Sequence, residues 1–283
     1  RSDVMQYTIF DEIKMYLLRH RKIVVPILCL LLVGGVMSFF VEVYSARLKN
    51  EEFNEIQMYM LNIRRQDEHI YNPLNVEIVE KKVEGIDVSS FQGDIDWNKV
   101  KESGIDYAII RCGFRNLTNE EIHVDNKFHY NISEANRLGI PVGVYFYSTA
   151  INEKEALEEA SFVLNLIKDY EVIYPVVYDF EMFNENRTRG VSDGRINNNA
   201  IKFLDYIRAH GYHGMLYTNL RGIESHWYLD NFEGYRIWYA QYIDIPTYYG
   251  HYDMWQYTDS GRVDGIDVAV DLNHSYIAYE VVN

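Results

Sequence analysis

The chain has few cysteines: only Cys29 and Cys112 occur among its 283 residues. Cys29 lies inside a long apolar run and Cys112 in a strand-like segment, so we expect no disulfide framework and a fold that its core alone stabilises. The nine histidines are scattered, and no group of Cys and His residues has the spacing of a zinc site. The sequence therefore predicts neither a metal nor another cofactor.

Positive charge is also scarce, with 27 Lys and Arg against 42 Asp and Glu and a formal net charge of −15. A chain of this charge is repelled by nucleic acid, which excludes DNA and RNA as expected partners. Tyrosine is abundant, at 25 residues, together with four Trp. Aromatic faces with a polar edge can hold an uncharged substrate by stacking and hydrogen bonding.

One segment, residues 23–41, contains 19 residues and no charged side chain. At about 1.5 Å per residue, a helix of this length nearly matches a hydrocarbon core of about 30 Å, so we predict a single transmembrane helix. A signal peptide is the alternative, but its apolar core is usually only about 7–15 residues long. Arg19, Arg21 and Lys22 precede the segment, so we expect residues 1–22 in the cytoplasm and the rest of the chain outside the cell membrane.

Residues 42–84 are polar, with Leu48, Phe53, Ile56, Met60 and Ile63 at spacings typical of a helix. We interpret this region as an extracellular helical stalk that ends near residue 72, followed by an extended linker. Residues 1–22 also show roughly helical spacing and could lie on the membrane or bind a partner. Residues 1–84 are therefore candidates for contact with envelope proteins.

From residue 85 to residue 283, strand-like and helix-like segments alternate. We predict strands at 85–90, 107–113, 141–148, 174–181, 214–219, 236–242, 251–258 and 268–273. We predict helices at 97–103, 125–138, 152–167 and 192–210. Connections after about residue 219 are too short for regular helices, so the pattern favours an α/β barrel that lacks its last helices. A doubly wound open sheet is the alternative, although no Gly-x-Gly-x-x-Gly or P-loop pattern accompanies it.

Two carboxylates, Asp179 and Glu181, end the apolar run 176–178. Residues i and i+2 of a strand point to the same face and are about 6.5–7 Å apart, so both acidic side chains would face one cleft. Glycoside hydrolysis needs two such groups, one protonated to assist the leaving oxygen and one ionised. Crowding of two carboxylates in a partly dry pocket raises one pKa and separates these roles. The alternative is a strand that ends in solvated acids.

Two further acids, Asp87 and Asp271, occur at the ends of the first and last predicted strands. The carboxyl ends of barrel strands are where catalytic residues gather, and the first and last strands become neighbours when a barrel closes. Four acids at one mouth would again raise at least one pKa. Alternatively, Asp87 could cap a turn and Asp271 could form an Asx-turn with Asn273.

These residues also carry a family resemblance. Gly85 to Gly93 read GIDVSSFQG, and this opening resembles that of the glycoside hydrolase family 25 muramidases, the Chalaropsis-type lysozymes. Further similar motifs follow in family order up to residue 280: YAIIR at 107–111, GIPVGVY at 139–145, YDFE at 178–181, WYAQY at 238–242, MWQYT at 254–258 and VDLN at 270–273. Residues 1–84 lie outside the resemblance.

The resemblance implies a modified TIM-type (β/α)₅(β)₃ barrel that cleaves the β-1,4 bond between N-acetylmuramic acid and N-acetylglucosamine in peptidoglycan glycan strands. It also implies a general acid, Glu181, with Asp179 as its partner carboxylate and Asp87 and Asp271 in support. The implied sugar-groove residues are Tyr147, Tyr217, Trp238, Gln241 and Gln256. Phe180, which stands between the two acids where a β-branched residue is also common, should affect only packing beneath them.

Several alternatives remain at this point. Water could attack directly with inversion, through a covalent enzyme ester, or with help from the substrate's own N-acetyl group. The expected function is that of a membrane-anchored muramidase. The alternatives are a peptidoglycan-binding module without turnover and a scaffold component of an envelope-spanning machine.

Overall fold

A computed structural model describes residues 71–181 and 187–282, together with a few helical positions between residues 37 and 51. The chain divides into two compact units, residues 1–58 and 59–283, and the described barrel belongs to the second. The predicted cytoplasmic segment, most of the predicted transmembrane helix and most of the stalk lie outside the described residues. Among the residues that are described, no helix is both long enough and apolar enough to cross a membrane.

The described part of the second unit contains a nine-stranded sheet and five α-helices. The strands are β1 Val76–Val88, β2 Tyr107–Arg115, β3 Ile122–Val124, β4 Val142–Tyr147, β5 Val176–Asp179, β6 Gly214–Asn219, β7 Arg236–Ala240, β8 Met254–Gly261 and β9 Val270–Val281. The helices are α1 Trp97–Glu102, α2 Phe128–Arg137, α3 Glu153–Ile167, α4 Asp193–Ala209 and α5 Leu220–Ser225.

Eight of these strands close into a barrel. Strand β1 pairs in parallel with β2 and in antiparallel with β9, while β2, β4, β5, β6, β7 and β8 follow one another in parallel. Strand β9 returns antiparallel between β8 and β1, and the short β3 forms a hairpin with β2 outside the ring. The closure confirms the predicted α/β barrel, and the alternative of a doubly wound open sheet was wrong.

Helices follow only the first five parallel barrel strands, and the last of them, α5, is six residues long. Between β7, β8 and β9 the described chain has no α-helix, as the short connections predicted. The helix α4 shows why the longer segments form helices. Its apolar residues are spaced three and four apart, which places them on one face, and all of them are buried: Ile196, Ala200, Phe203 and Ile207. This order of elements matches the expected (β/α)₅(β)₃ arrangement.

The first strand is longer than predicted. It begins at Val76 rather than near residue 85, so residues 76–84, which we expected to be a linker, are part of the barrel domain. They pair with the second half of β9, from Val76 opposite Val281 to Glu84 opposite His274. The segment VEIVEKKVE has the apolar and charged alternation of a half-buried strand, and its partner lies almost 200 residues away in the sequence.

Aromatic residues fill the barrel on the side of the strand N-termini. Tyr107 stacks on Tyr174 with ring centroids 4.4 Å apart, and Met215, Trp238 and Met254 pack in the same buried cluster. Each fully buried side chain of this kind contributes roughly 1.5–3 kcal/mol. The strand N-termini therefore enclose a packed core. The carboxyl side chains of the predicted site lie at the other end of the barrel, at the C-termini of the strands.

Candidate active site

The four predicted acids meet at the carboxyl ends of the barrel strands. Asp87 lies next to last in β1, Asp179 ends β5, Glu181 follows two residues later, and Asp271 lies on β9 directly opposite Asp87. They line one cavity of about 170 Å³. The other lining residues of this cavity are Tyr145, Tyr217, Trp238, Tyr242 and Gln256.

Asp87 is buried and receives hydrogen bonds from two side-chain amides. Its Oδ2 atom accepts from Gln256 Nε2 at 2.9 Å and from Asn273 Nδ2 at 2.8 Å. The oxygen of each amide is bonded in turn: Tyr217 donates to Gln256 Oε1 at 3.0 Å, and Trp238 Nε1 donates to Asn273 Oδ1 at 2.8 Å. The Asp87 carboxyl group is therefore fixed from two sides.

The pair formed by Asp87 and Asp271 shares one hydrogen bond between carboxyl groups. Burial raises the pKa of Asp87, and the bonds from Asn273 and Gln256 oppose that rise. Burial and the neighbouring charge of Asp87 raise the pKa of Asp271 to about 8. At neutral pH the pair therefore keeps at least one proton.

The second pair, Asp179 and Glu181, is also shifted toward the protonated form. Burial raises the pKa of Asp179 well above its usual range, the charges of Glu181 and Asp87 add to that rise, and Arg111 opposes it. Burial raises the pKa of Glu181. Asp179 Oδ1 is buried and has no hydrogen-bond partner among the described residues. Both acids are therefore partly desolvated rather than solvated strand ends.

A buried polar network behind β5 positions Asp179. The backbone N–H of Ser148 donates to the Asp179 carbonyl at 2.7 Å, and Ser148 Oγ donates to Glu159 Oε2 at 2.6 Å. Arg115 Nε donates to the other oxygen of Glu159 at 2.7 Å, and both side chains are buried. Loss of one partner in such a network would leave an uncompensated buried charge. The network therefore stabilises the end of β5 that carries Asp179.

Two further cavities adjoin the central one, and Glu181 lines all three. The larger has a volume of about 640 Å³ and a mainly apolar and aromatic wall. On its rim Phe91 is 78% exposed and lies over the Arg111 guanidinium, with the ring centroid 4.8 Å from Cζ. The smaller cavity, of about 180 Å³, lies on the other side of Glu181, toward α5. Together the three form a groove that crosses the barrel mouth.

Four of the five predicted groove residues line this groove. Tyr217, Trp238 and Gln256 line the central cavity, and Tyr147 lines the larger one. Gln241 does not: its Oε1 accepts from Tyr239 and from the backbone N–H of Thr247, so it stabilises the loop after β7. Gln241 lies beyond the end of β7, where strand alternation no longer decides side-chain direction, so its role in the sugar groove stays a prediction.

The structure also places residues in the site that the sequence analysis did not single out. Asn273 bridges Asp87 and Trp238, so the alternative in which it forms an Asx-turn with Asp271 is not what the structure shows. Tyr145 and Tyr242 line the central cavity. The signal for Asn273 was its position two residues after Asp271 on one strand, since such residues share a face. In the described region no group of three or more His, Cys, Asp or Glu residues could hold a metal ion.

A closed α/β barrel with crowded carboxyl groups at its strand ends is the arrangement of a glycoside hydrolase. The family described as glycosyl hydrolases family 25 matches residues 86–266. The chain belongs to this family and carries a glycoside hydrolase domain of the lysozyme type.

Relatives and solved structures agree with this assignment. The chain is 30% identical to the autolytic lysozyme of Clostridium acetobutylicum over 196 residues, which are 68% of this chain and 55% of the relative. The modular autolysin LytC of Streptococcus pneumoniae, solved with a synthetic peptidoglycan ligand, is similar with a TM-score of 0.61 and 29% identity over 69% of this chain and 47% of LytC. A family 25 glycosyl hydrolase from Bacillus anthracis, at 22% identity and a TM-score of 0.59, shares the fold. The chain spans about half the length of the first two proteins.

Proposed function

We propose that this chain is a muramidase that hydrolyses the β-1,4 bond between N-acetylmuramic acid and N-acetylglucosamine in peptidoglycan. The observation that carries the proposal is the pairing of Asp179 with Glu181 at the barrel mouth, where burial raises both pKa values. A proton is therefore available at neutral pH beside an open groove. The names of the relatives, an autolytic lysozyme and an autolysin solved with a peptidoglycan ligand, support the same substrate.

In this proposal Glu181 is the general acid. It lines all three cavities, whereas Asp179 lines two and lies deeper, so Glu181 is better placed to reach the glycosidic oxygen. The anomeric C–O bond breaks, the leaving oxygen takes the proton of Glu181, and water supplies the new hydroxyl group and replaces the proton. Asp179, the partner carboxylate, is ionised while Glu181 holds the proton, and it stabilises the positive charge that develops on the sugar ring.

The remaining acids and rings support these two groups. Asp87 is fixed by Gln256 and Asn273 and faces the central cavity. We assign Asp271 the role of holding the shared proton, so that the site does not accumulate charge. Tyr147, Tyr217 and Trp238 present aromatic edges and faces to the groove, where sugar rings can stack.

The full chain incubated with purified peptidoglycan tests this activity. We expect the release of reducing ends that carry N-acetylmuramic acid. Co-sedimentation in the same assay separates the alternatives, because a binding module without turnover would sediment with the wall and release no reducing ends. Absence of release from several wall types would remove the muramidase proposal.

We further propose that the protein is a single-pass protein of the cell membrane with its catalytic domain outside. The uncharged segment 23–41 and the preceding Arg19, Arg21 and Lys22 support this orientation. Protease added to intact protoplasts should digest the barrel domain and leave the N-terminal piece protected. Protection of the barrel domain would reverse the orientation, and a soluble form that begins near residue 46 would indicate a cleaved signal peptide.

Residues 1–84 are our proposed contact region for envelope proteins. Their support is the sequence pattern of the short cytoplasmic piece and the stalk. Cross-linking of the full chain in cells, compared with a chain in which residues 1–22 are replaced, would identify such partners. An unchanged set of cross-linked proteins would contradict a role for that piece.

A further inference from the structure

The smaller cavity beside Glu181 contains an arginine that has no partner among the described residues. The cavity is lined by Phe180, Glu181, Tyr217, Thr218, Asn219, Arg221, Gly222, His226 and Trp227. Arg221 is exposed on α5, and its guanidinium makes no hydrogen bond or ion pair with the described residues. We call this cavity the Arg221 pocket.

The buried and half-buried arginines of the described barrel differ from Arg221. Each is paired with a carboxylate: Arg111 with Asp125, Arg115 with Glu159, Arg187 with Glu155 and Arg236 with Asp253. The chain also has a formal net charge of −15, so carboxylates are in excess. Among the described residues, Arg221 is distinguished by lining a cavity that Glu181 also lines while its guanidinium is unpaired.

The walls of the Arg221 pocket are well ordered. Phe180 packs edge-on against Trp227 with ring centroids 6.0 Å apart, and both are buried. Asn219 Oδ1 accepts from the backbone N–H of Gly222, and His226 Nδ1 lies 2.8 Å from an Asp193 carboxylate oxygen. A side chain at Gly222 would collide with Thr218 and Trp227, so glycine allows α5 to pack closely here. These contacts hold the described walls of the pocket in place.

Substrate chemistry indicates what this pocket can hold. In peptidoglycan the muramic acid carries a lactyl group with an acidic peptide, on the same sugar whose glycosidic bond is cleaved. A substituent on that sugar must lie close to Glu181, and the Arg221 pocket shares Glu181 and Tyr217 with the central cavity. Because burial raises the pKa of Glu181, the protonated acid does not repel a carboxylate bound nearby. The opposite, apolar cavity instead suits sugar faces.

We propose that the Arg221 pocket binds a carboxylate of the peptide attached to N-acetylmuramic acid, and that Arg221 forms the ion pair. This inference rests on the proposed substrate and identifies a specificity-determining residue for it. A guanidinium recognises a carboxylate through two parallel hydrogen bonds, which gives orientation as well as affinity. Arg221 would thus favour glycan strands with free peptide carboxylates over amidated ones.

The rates of hydrolysis of two substrates test the proposed ion pair with Arg221. Purified peptidoglycan and the same material with its carboxyl groups chemically amidated share one glycan backbone. We expect Arg221→Ala to lower kcat/KM about three- to ten-fold on the unmodified material, the range of a partly exposed charged hydrogen bond. On the amidated material, Arg221→Ala and the unmodified protein should have equal rates. Arg221→Lys, which keeps the charge but not the planar fork, should be intermediate.

The matched control is Lys168→Ala, which removes an exposed positive charge just after α3, at the opposite end of the barrel from the groove. It should leave the preference for unmodified peptidoglycan unchanged. If Lys168→Ala reduces that preference as much as Arg221→Ala does, the effect comes from net charge and the proposal is wrong. An equal loss on both substrates in Arg221→Ala would also overturn it.

A binding measurement separates this inference from the proposed activity. Calorimetry with Glu181→Gln, which does not turn over, should give tighter binding of a soluble disaccharide-peptide than of its amidated form. Adding Arg221→Ala should abolish the difference. The peptide-free disaccharide, which keeps its lactyl carboxylate, distinguishes that group from the peptide carboxylates. If the full chain releases no reducing ends but this pattern is found, the muramidase proposal fails alone; if hydrolysis occurs without the pattern, the inference about Arg221 fails alone.

Discussion

Asp87 and Asp271 stand directly opposite each other on the first and last strands of the barrel and are joined by a hydrogen bond. Burial raises the pKa of Asp271 to about 8 and the charge of Asp87 adds to that rise, so the two carboxyl groups share a proton at neutral pH. The seam at which the barrel closes is therefore also one wall of the candidate active site. This relationship and the second pair of acids lead to three predictions, and the packing of the barrel leads to a fourth.

Asp271→Asn should stabilise the fold at neutral pH. The pKa of Asp271 is about 8 in the folded state and about 3.9 in an unfolded chain, so wild-type stability falls as pH rises from about 4 to 8. The amide has no charge to gain and can still donate to Asp87. We expect a gain of about 1–2 kcal/mol at pH 8, because partial exposure lets water screen the repulsion.

Thermal unfolding at pH 4.5 and pH 8 measures this effect. The difference between variant and wild type should be small at pH 4.5 and larger at pH 8. Asp264→Asn, at an exposed position between β8 and β9, is the control and should show no such growth. A variant less stable than wild type at pH 8 would contradict the shared proton.

Glu181→Gln should abolish most of the hydrolysis while it leaves the fold intact. The amide keeps the shape of the side chain but cannot deliver a proton, and loss of a general acid typically costs about 10²–10⁴ in rate. Reducing-end release measures activity, and thermal unfolding checks the fold. Glu233→Gln, at an exposed position before β7, is the control. Activity of Glu181→Gln within a few-fold of wild type would remove Glu181 from this role.

Asp179→Asn should move the alkaline limb of the rate profile to lower pH. The charge of Glu181 adds to the rise that burial causes in the pKa of Asp179. Repulsion between two charges is mutual, so an ionised Asp179 also raises the pKa of Glu181. Removal of the Asp179 charge makes ionisation of Glu181 easier, so the protonated acid is lost at a lower pH. Residual hydrolysis measured from pH 4 to 9 tests this. An alkaline limb that stays or moves upward would show that the two acids are not coupled.

Gly85→Ala should destabilise the barrel. A Cβ atom at Gly85 would overlap the ring of Tyr107, and the stacking of that ring on Tyr174 opposes its displacement. Overpacking of this kind typically costs about 1–3 kcal/mol. Gly194→Ala is the control, since nothing lies within 4 Å of its added carbon and alanine favours the helix α4. Urea unfolding should show opposite shifts, and an unaltered midpoint for Gly85→Ala would show that Tyr107 can adjust.

Much of the fold could be predicted because its signals are local. The strand β6 was predicted with its observed ends, Gly214 and Asn219, and the four predicted helices match α1 to α4 within a few residues. The start of β1 could not be predicted as part of the barrel, because residues 76–84 become a barrel strand only through pairing with β9. Local alternation describes a strand but does not identify its partner.

The residues of the candidate site were likewise predicted only in part. Alternation along a strand predicted that Asp179 and Glu181 share a cleft, and the positions of Asp87 and Asp271 at strand ends predicted that they would join them. The direction of a side chain follows from alternation only inside a strand. Gln241 lies just beyond β7, and its side chain contacts Thr247. Asn273 was missed because its role depends on Asp87 and Trp238, which approach it only after closure.

The sequence by itself determined which residues alternate, where carboxylates follow apolar strands, and which motifs place the chain in its family, since all of these depend on neighbours along the chain. The uncharged segment 23–41 is likewise a property of the sequence alone. Only the tertiary structure decided that Asp87 faces Asp271, that Arg221 lines a cavity together with Glu181, and that burial raises the pKa values of the acids. Desolvation and pairing depend on atoms distant in sequence, so they exist only once the barrel has closed.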